Sequence, residues 1–221
     1  MSPLVKICGL STPETLDVAL EGAADMVGFV FFSPSPRNIS FDQARLLGER
    51  VKGRAQKVAL TVDADDALLE KIVESLKPDL LQLHGHESPE RVAAVRESFG
   101  LPVMKVLAIE TKADLAAIPN YTSVTDRLLF DARPPRDATR PGGLGKPFDW
   151  HLLENLSLSI PFILSGGLHA GNVAEALAIT RAGGVDVSSG VESAPGVKDS
   201  DKIRAFIRAA RASHGAGMPI G

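Results

Sequence analysis

Short continuous apolar runs alternate along the chain with longer amphipathic stretches, and the alternation is regular enough to predict elements. The first run, Leu4-Val5-Lys6-Ile7-Cys8-Gly9-Leu10, reads as a buried strand that ends in a glycine turn. A strand sends successive side chains to opposite faces, so Lys6 and Cys8 share one face while Val5 and Ile7 share the other. Ser11-Thr12-Pro13-Glu14 then offers a hydroxyl N-cap and an early proline ahead of Leu16, Ala19, Leu20 and Ala23 at helical spacing. A second apolar run, 26–32, contains Gly28 and is stopped by Ser33-Pro34-Ser35-Pro36, after which Ser40 caps a helix that runs to Val51. The same alternation continues with strands predicted at 57–62, 79–83, 103–107, 127–130, 162–164 and 185–187. Helical patterns lie between or after them at 66–76, 89–99, 112–118, 150–156, 172–180 and 201–212.

Eight strands in strict alternation with eight helices, and no antiparallel hairpin signal, predict a parallel sheet closed on itself. The expected architecture is a single-domain α/β fold, a (β/α)₈ TIM barrel over residues 1–212, followed by a small-residue tail, 213–221, expected to fray. An open doubly wound sheet would want fewer strands and a GxGxxG turn after the first one, which is absent.

Composition narrows the partners. The 221 residues include 44% hydrophobic side chains, ample for a large core, and 24 basic against 27 acidic residues give a net charge of −3 with both signs interspersed. That pattern has no electrostatic footprint for nucleic acid or an anionic membrane, and no apolar stretch approaches the roughly 20 residues of a bilayer span. A single cysteine allows no internal disulfide, which makes the reducing cytoplasm the expected compartment. No CxxC pair or HExxH spacing suggests a metal. A small molecule is therefore the expected ligand.

In a (β/α)₈ barrel the active site lies at the C-terminal ends of the strands. Two of these ends, Ser165-Gly166-Gly167-Leu168 and Ser188-Ser189-Gly190-Val191, follow the seventh and eighth strands, where open backbone N–H groups bind phosphate in this fold. Asp131 shares the inner face with Leu129, and a carboxyl at an apolar rim is expected to have a raised pKa and to donate a proton. The long loop 133–147 that follows it has the character of an active-site lid. Cys8, across the mouth on the first strand, could act as a base opposite that acid, with Lys6 on the same face placed to lower the thiol pKa. Arg37, in a proline-stiffened loop, would match a carboxylate bidentately or else be a solvated surface residue. His84 ends the fourth strand and is a candidate for the site, whereas His86 and Glu87 read as exposed turn residues.

Lys6-Ile7-Cys8-Gly9, Gly28-Phe29-Val30-Phe31 with Ser35-Pro36-Arg37, Gln82-Leu83-His84-Gly85, Gly142-Gly143 through Phe148-Asp149-Trp150, Leu164-Ser165-Gly166-Gly167-Leu168 and Asp186-Val187-Ser188-Ser189-Gly190-Val191-Glu192 occur in this order along the chain. Together they resemble the phosphoribosylanthranilate isomerase family of tryptophan biosynthesis. The resemblance implies an intramolecular oxidoreduction, an Amadori rearrangement of N-(5-phosphoribosyl)anthranilate that needs no cofactor. It implies Cys8 as general base and Asp131 as general acid. It also implies Arg37, His84, Gly143, Gly166, Gly167, Ser189 and Gly190 as substrate-binding residues, and an enzyme that is a monomer or homodimer.

Ala132 stands where a small hydroxylated residue is expected, and Leu144 where the family often has Ser or Thr. Two other readings remain beside the isomerase. A non-catalytic phosphosugar-binding barrel would keep the glycine turns without needing both Cys8 and Asp131. A different phosphosugar isomerase or epimerase, or a related barrel synthase, would want metal-binding or lysine and glutamate sets that the strand ends do not offer.

Overall fold

The structure is a computed structural model that describes residues 2–133, 142 and 147–212. Eight strands close into a parallel barrel: β1 (Leu4–Cys8), β2 (Met26–Phe31), β3 (Gln56–Thr61), β4 (Leu80–Leu83), β5 (Val103–Ile109), β6 (Arg127–Ala132), β7 (Phe162–Leu164) and β8 (Gly184–Val187). β1 closes the ring by pairing with β8, with Lys6 opposite Asp186 in register. Six α-helices surround it: α1 (Pro13–Glu21), α2 (Phe41–Val51), α3 (Asp66–Leu76), α4 (Pro89–Phe99), α5 (Val173–Thr180) and α6 (Ser200–Ala212). The tail 213–221 lies outside the described residues.

Local chemistry sets the helix ends. Thr12, Asp65 and Ser88 each accept a backbone N–H in the first turn of the helix they precede, and Ser40 forms a reciprocal capping box with Gln43. α3 buries Leu69, Ile72 and Leu76, and α6 buries Ile203, Phe206, Ile207 and Ala210, each set on one helical stripe against the barrel.

Period two along the strands divides the core in two. Met26, Val58, Leu80, Met104, Val106, Leu129 and Ile163 fill the barrel interior, while Val5, Ile7, Ala59, Leu81, Leu128, Phe130 and Val185 face the helices. Above the interior plug a smaller apolar cluster of Cys8, Val30 and Leu60 forms the floor of the open end.

A repeated clamp fastens the opposite end. Asp25, Asp79 and Asp126, each just before an even-numbered strand, accept the first backbone N–H groups of the preceding odd strand: Val5 at 2.7 Å, Lys57 at 2.7 Å and Val103 at 2.9 Å. The backbone N–H of each aspartate donates back to the carbonyl of the same partner. The end of the barrel remote from the cavity is thereby fixed by charge-assisted bonds, leaving the other end to carry loops.

Four predictions about elements are corrected. The segments predicted as helices at 112–118 and 150–156 are 3₁₀ turns, Lys112–Asn120 and Trp150–Leu153. Pro119 inside the first cannot donate to an α-helical ladder, and the second is a single short turn started by Asp149. An antiparallel hairpin, β9 (Glu192–Ala194) and β10 (Val197–Lys198), follows β8 and was not expected; Pro195-Gly196 is its turn signal. Finally, Asp131 lies inside β6 rather than after it, which fixes its side chain to the inner face.

Candidate active site

The open end of the barrel holds a cavity of about 440 Å³. Cys8, Arg37, His84, Asp131, Gly166, Gly167, Ser189 and Gly190 all line it, so the strand-end rule brings together every described residue assigned to the site from sequence. Gly143, Leu144 and most of the predicted lid lie outside the described residues. Arg133, at the start of that loop, pairs with Asp114 and with Glu110.

Cys8 and Lys6 point inward from β1, and only glycine fits beside them. A Cβ at Gly28 of β2 would lie 2.9 Å from the Cys8 Sγ and 3.1 Å from the Lys6 Nζ. Lys6 is fully buried and its Nζ bonds Asp186 Oδ1 at 2.7 Å, while Asp186 Oδ2 accepts the Ser165 hydroxyl at 3.2 Å. Burial pushes the Cys8 thiol up; Lys6 and Lys198 pull it down, and Asp186 adds to the rise. Lys6 does act in the expected direction on the thiol, but burial outweighs it. The Lys6 ammonium itself is held above the ordinary amine value, because Asp186 and Cys8 together outweigh its desolvation.

Asp131 occupies the other side. Its Oδ1 accepts the Ala132 N–H at 2.8 Å and its Oδ2 stands 3.4 Å from His84 Nε2. Gly142 packs against this pair, its Cα so placed that a Cβ would be 2.6 Å from Asp131 Oδ2.

Arg37 is not a solvated surface residue. It is 4% exposed, and its Nε and Nη2 make a bidentate pair at 2.7 Å each with Glu192 of the same chain, a carboxylate other than the ligand's expected there. Glu192 also accepts Lys198 Nζ at 2.8 Å. The carboxylate of Glu192 is held below the ordinary range by Arg37 and Lys198 despite its burial.

The two glycine turns face each other. At Gly190 an added Cβ would come within 1.9 Å of the Leu168 carbonyl oxygen, so the turns after β7 and β8 can approach this closely only with glycine there. The turn Ser189–Val191 follows β8 directly and brings Ser189 and Gly190 into the lining of the cavity.

Sequence reasoning missed Asp186, Glu192 and Lys198. Asp186 was legible from period two in β8, which puts it on the inner face. Glu192 and Lys198 carry no such signal, since a hairpin brings them in. Glu87, read as exposed, is buried: it accepts Lys105 Nζ at 2.7 Å and the N–H groups of Asp63 and Gly85. His86 is exposed, as read. No group of three or more metal-ligating side chains forms among the described residues, and no described helix is long and apolar enough to cross a membrane.

Fold and cavity define the class: a (β/α)₈-barrel enzyme whose pocket opens at the C-terminal ends of its strands. Residues 5–209 match the family model for N-(5'-phosphoribosyl)anthranilate isomerase. A curated N-(5'-phosphoribosyl)anthranilate isomerase of Nitrobacter hamburgensis is 68% identical over 213 residues, 96% of this chain and 95% of that one. Among solved structures, the phosphoribosylanthranilate isomerase of Thermotoga maritima is similar at 33% identity and TM-score 0.84, over 95% of this chain and 99% of that chain. Another, in complex with reduced 1-(o-carboxyphenylamino)-1-deoxyribulose 5-phosphate, is similar at 30% identity and TM-score 0.80, over 95% and 99%. The chain belongs to the N-(5'-phosphoribosyl)anthranilate isomerase family.

Proposed function

We propose that the protein catalyses the Amadori rearrangement of N-(5-phosphoribosyl)anthranilate to 1-(2-carboxyphenylamino)-1-deoxyribulose 5-phosphate, a step of tryptophan biosynthesis, in the cytoplasm and as a monomer or homodimer. Asp131 gives a proton to the ribose ring oxygen, and the ring opens to a Schiff base. Cys8, as thiolate, removes the proton from C2′, offsetting the one that Asp131 gave; the resulting enol-amine then takes up a proton at C1′ and loses the one on its C2′ hydroxyl, which gives the amino ketone. Each atom is conserved and no electron leaves the substrate, so this chemistry calls for no redox partner. Arg37 receives the anthranilate carboxylate, the amides of Gly166, Gly167, Ser189 and Gly190 with Gly143 receive the phosphate, and His84 orients Asp131.

The observation that carries this reading is the placement of a thiol and a carboxyl on the inner faces of β1 and β6, in one cavity that also contains both glycine turns. A merely phosphosugar-binding barrel has no use for the thiol and the carboxyl. The direct test adds purified protein to N-(5-phosphoribosyl)anthranilate and follows the loss of its fluorescence. Unchanged fluorescence with folded protein overturns the assignment.

A further inference from the structure

We propose that the carboxamide of Gln82 binds the oxygen on C2′ of the ribose chain, the atom that enters the rearrangement as a hydroxyl and leaves it as a carbonyl. The inference rests on the function proposed above, and in particular on Cys8 reaching C2′.

Period two sets Gln82 on the inner face of β4, between Leu80 of the interior plug and His84 just past the strand end. In register it lies opposite Leu60 of β3, and Leu60 packs with Cys8 and Val30 in the floor of the open end. The Gln82 side chain is fully buried and yet lines the cavity. It therefore meets the cavity at the floor that also carries the Cys8 thiol.

A glutamine amide offers two N–H donors and an oxygen with two lone pairs. Among the described residues, Gln82 Nε2 and Oε1 are both buried without a hydrogen-bond partner. Thr61 and Trp150 each have one such atom, but neither residue lines the cavity. A whole buried amide left unpaired is costly, and leucine or methionine could fill the same floor position without that cost. The cost is offset once a polar group of the ligand meets the amide.

The chemistry selects that group. Arg37 takes the carboxylate at one end of the substrate and the glycine turns take the phosphate at the other, which leaves the middle of the ribose chain over the floor. Proton removal brings C2′ to Cys8, and the polar atom on C2′ is its oxygen. The hydroxyl there donates to Oε1, and the carbonyl that replaces it accepts from Nε2. An uncharged group that both donates and accepts can follow the oxygen through both states without opposing a thiolate. A carboxylate in its place could only accept, and would add a like charge.

Two ligands that differ in that oxygen alone test the assignment without turnover. Reductive amination with anthranilate converts ribose 5-phosphate and 2-deoxyribose 5-phosphate to a matched pair of stable carboxyphenylamino sugar phosphates, one with the C2′ hydroxyl and one without. Isothermal titration measures both against wild type, Gln82→Leu and Gln82→Met, all as the full chain. Wild type is expected to bind the hydroxylated ligand about tenfold or more tighter than the deoxy one, and each variant to bind the two alike.

Wild type that binds both ligands equally overturns the proposal, whether or not the variants fold. A folded variant that still discriminates as wild type does overturns it too, because another group then reads the oxygen. Wild type that binds neither ligand and leaves the fluorescence of N-(5-phosphoribosyl)anthranilate unchanged overturns the functional reading, and this inference with it. That result differs in kind from tight but equal binding.

Discussion

His84 Nε2 stands 3.4 Å from Asp131 Oδ2 across the end of β5, so the side chains that close β4 and β6 meet on one side of the cavity. Asp131 thus has one oxygen fixed by its own backbone neighbour and the other facing an imidazole. That arrangement aims the carboxyl instead of leaving it to rotate. His84→Ala is expected to lower kcat by roughly 10- to 100-fold, the scale of misplacing a reacting group by about an ångström, with a smaller change in KM. Equal kcat in the variant would make His84 a bystander.

For the acid and base themselves the expected losses are larger. Cys8→Ala and Asp131→Asn should each lose about 10²- to 10⁴-fold in kcat while remaining folded and still binding a product analogue. Circular dichroism and isothermal titration beside the fluorescence assay separate lost chemistry from lost structure.

The pH dependence has a definite sign. Burial holds the Cys8 thiol above its ordinary value, so the thiolate, and with it the rate, should increase as pH rises. Stability should move the other way. The folded state keeps its proton to higher pH than the unfolded chain, whose thiol ionises near about 8.5. Stability is therefore lost as pH climbs above that point, and this part of the loss should be missing from Cys8→Ala in urea titrations run from pH 7 to 10.

Arg37→Ala removes the group that the proposed reaction needs for the carboxylate and leaves the Glu192 carboxylate, among the described residues, with Lys198 and the Gly196 amide. Substrate binding should weaken by about 2 to 5 kcal/mol, appearing mainly in KM. Gly190→Ala forces the Leu168 carbonyl away and should raise KM about tenfold or more, together with the inhibition constant for inorganic phosphate. A variant with unaltered phosphate inhibition would move the anion site elsewhere.

The buried Lys105–Glu87 pair makes a stability prediction away from the chemistry. Lys105 Nζ also bonds the Gly85 carbonyl at 2.7 Å and lies over the Tyr121 ring, tying the turn after β4 to β5. Lys105→Met leaves an unpaired buried carboxylate and should cost about 3 to 5 kcal/mol of unfolding free energy. The double variant Lys105→Met, Glu87→Leu should recover part of that loss in the same urea unfolding experiment.

By itself the sequence determined what depends on neighbours along the chain. Apolar runs and helical stripes placed eight strands and the six α-helices. Hydroxyl and aspartate caps marked where helices begin, and period two put Cys8 and Asp131 on inner faces. The barrel's strand-end rule then gathered Cys8, Arg37, His84, Asp131 and the two glycine turns before any coordinates, because in a closed parallel barrel the end of a strand is a position in space. Long-range pairing was decided only in the tertiary structure. Arg37 is buried against Glu192, Glu87 against Lys105, and Lys6 against Asp186, each joining segments far apart in the chain. Period two puts Lys6 and Asp186 on inner faces, but no local pattern distinguishes Arg37 or Glu87 from a charge on a solvated surface, or says which partner any of these charges meets. The protonation balance of Cys8 is of the same kind, since burial, two ammonium groups and a carboxylate act on it from β1, β8 and β10 at once, and their sum depends on distances that exist only once the barrel has closed.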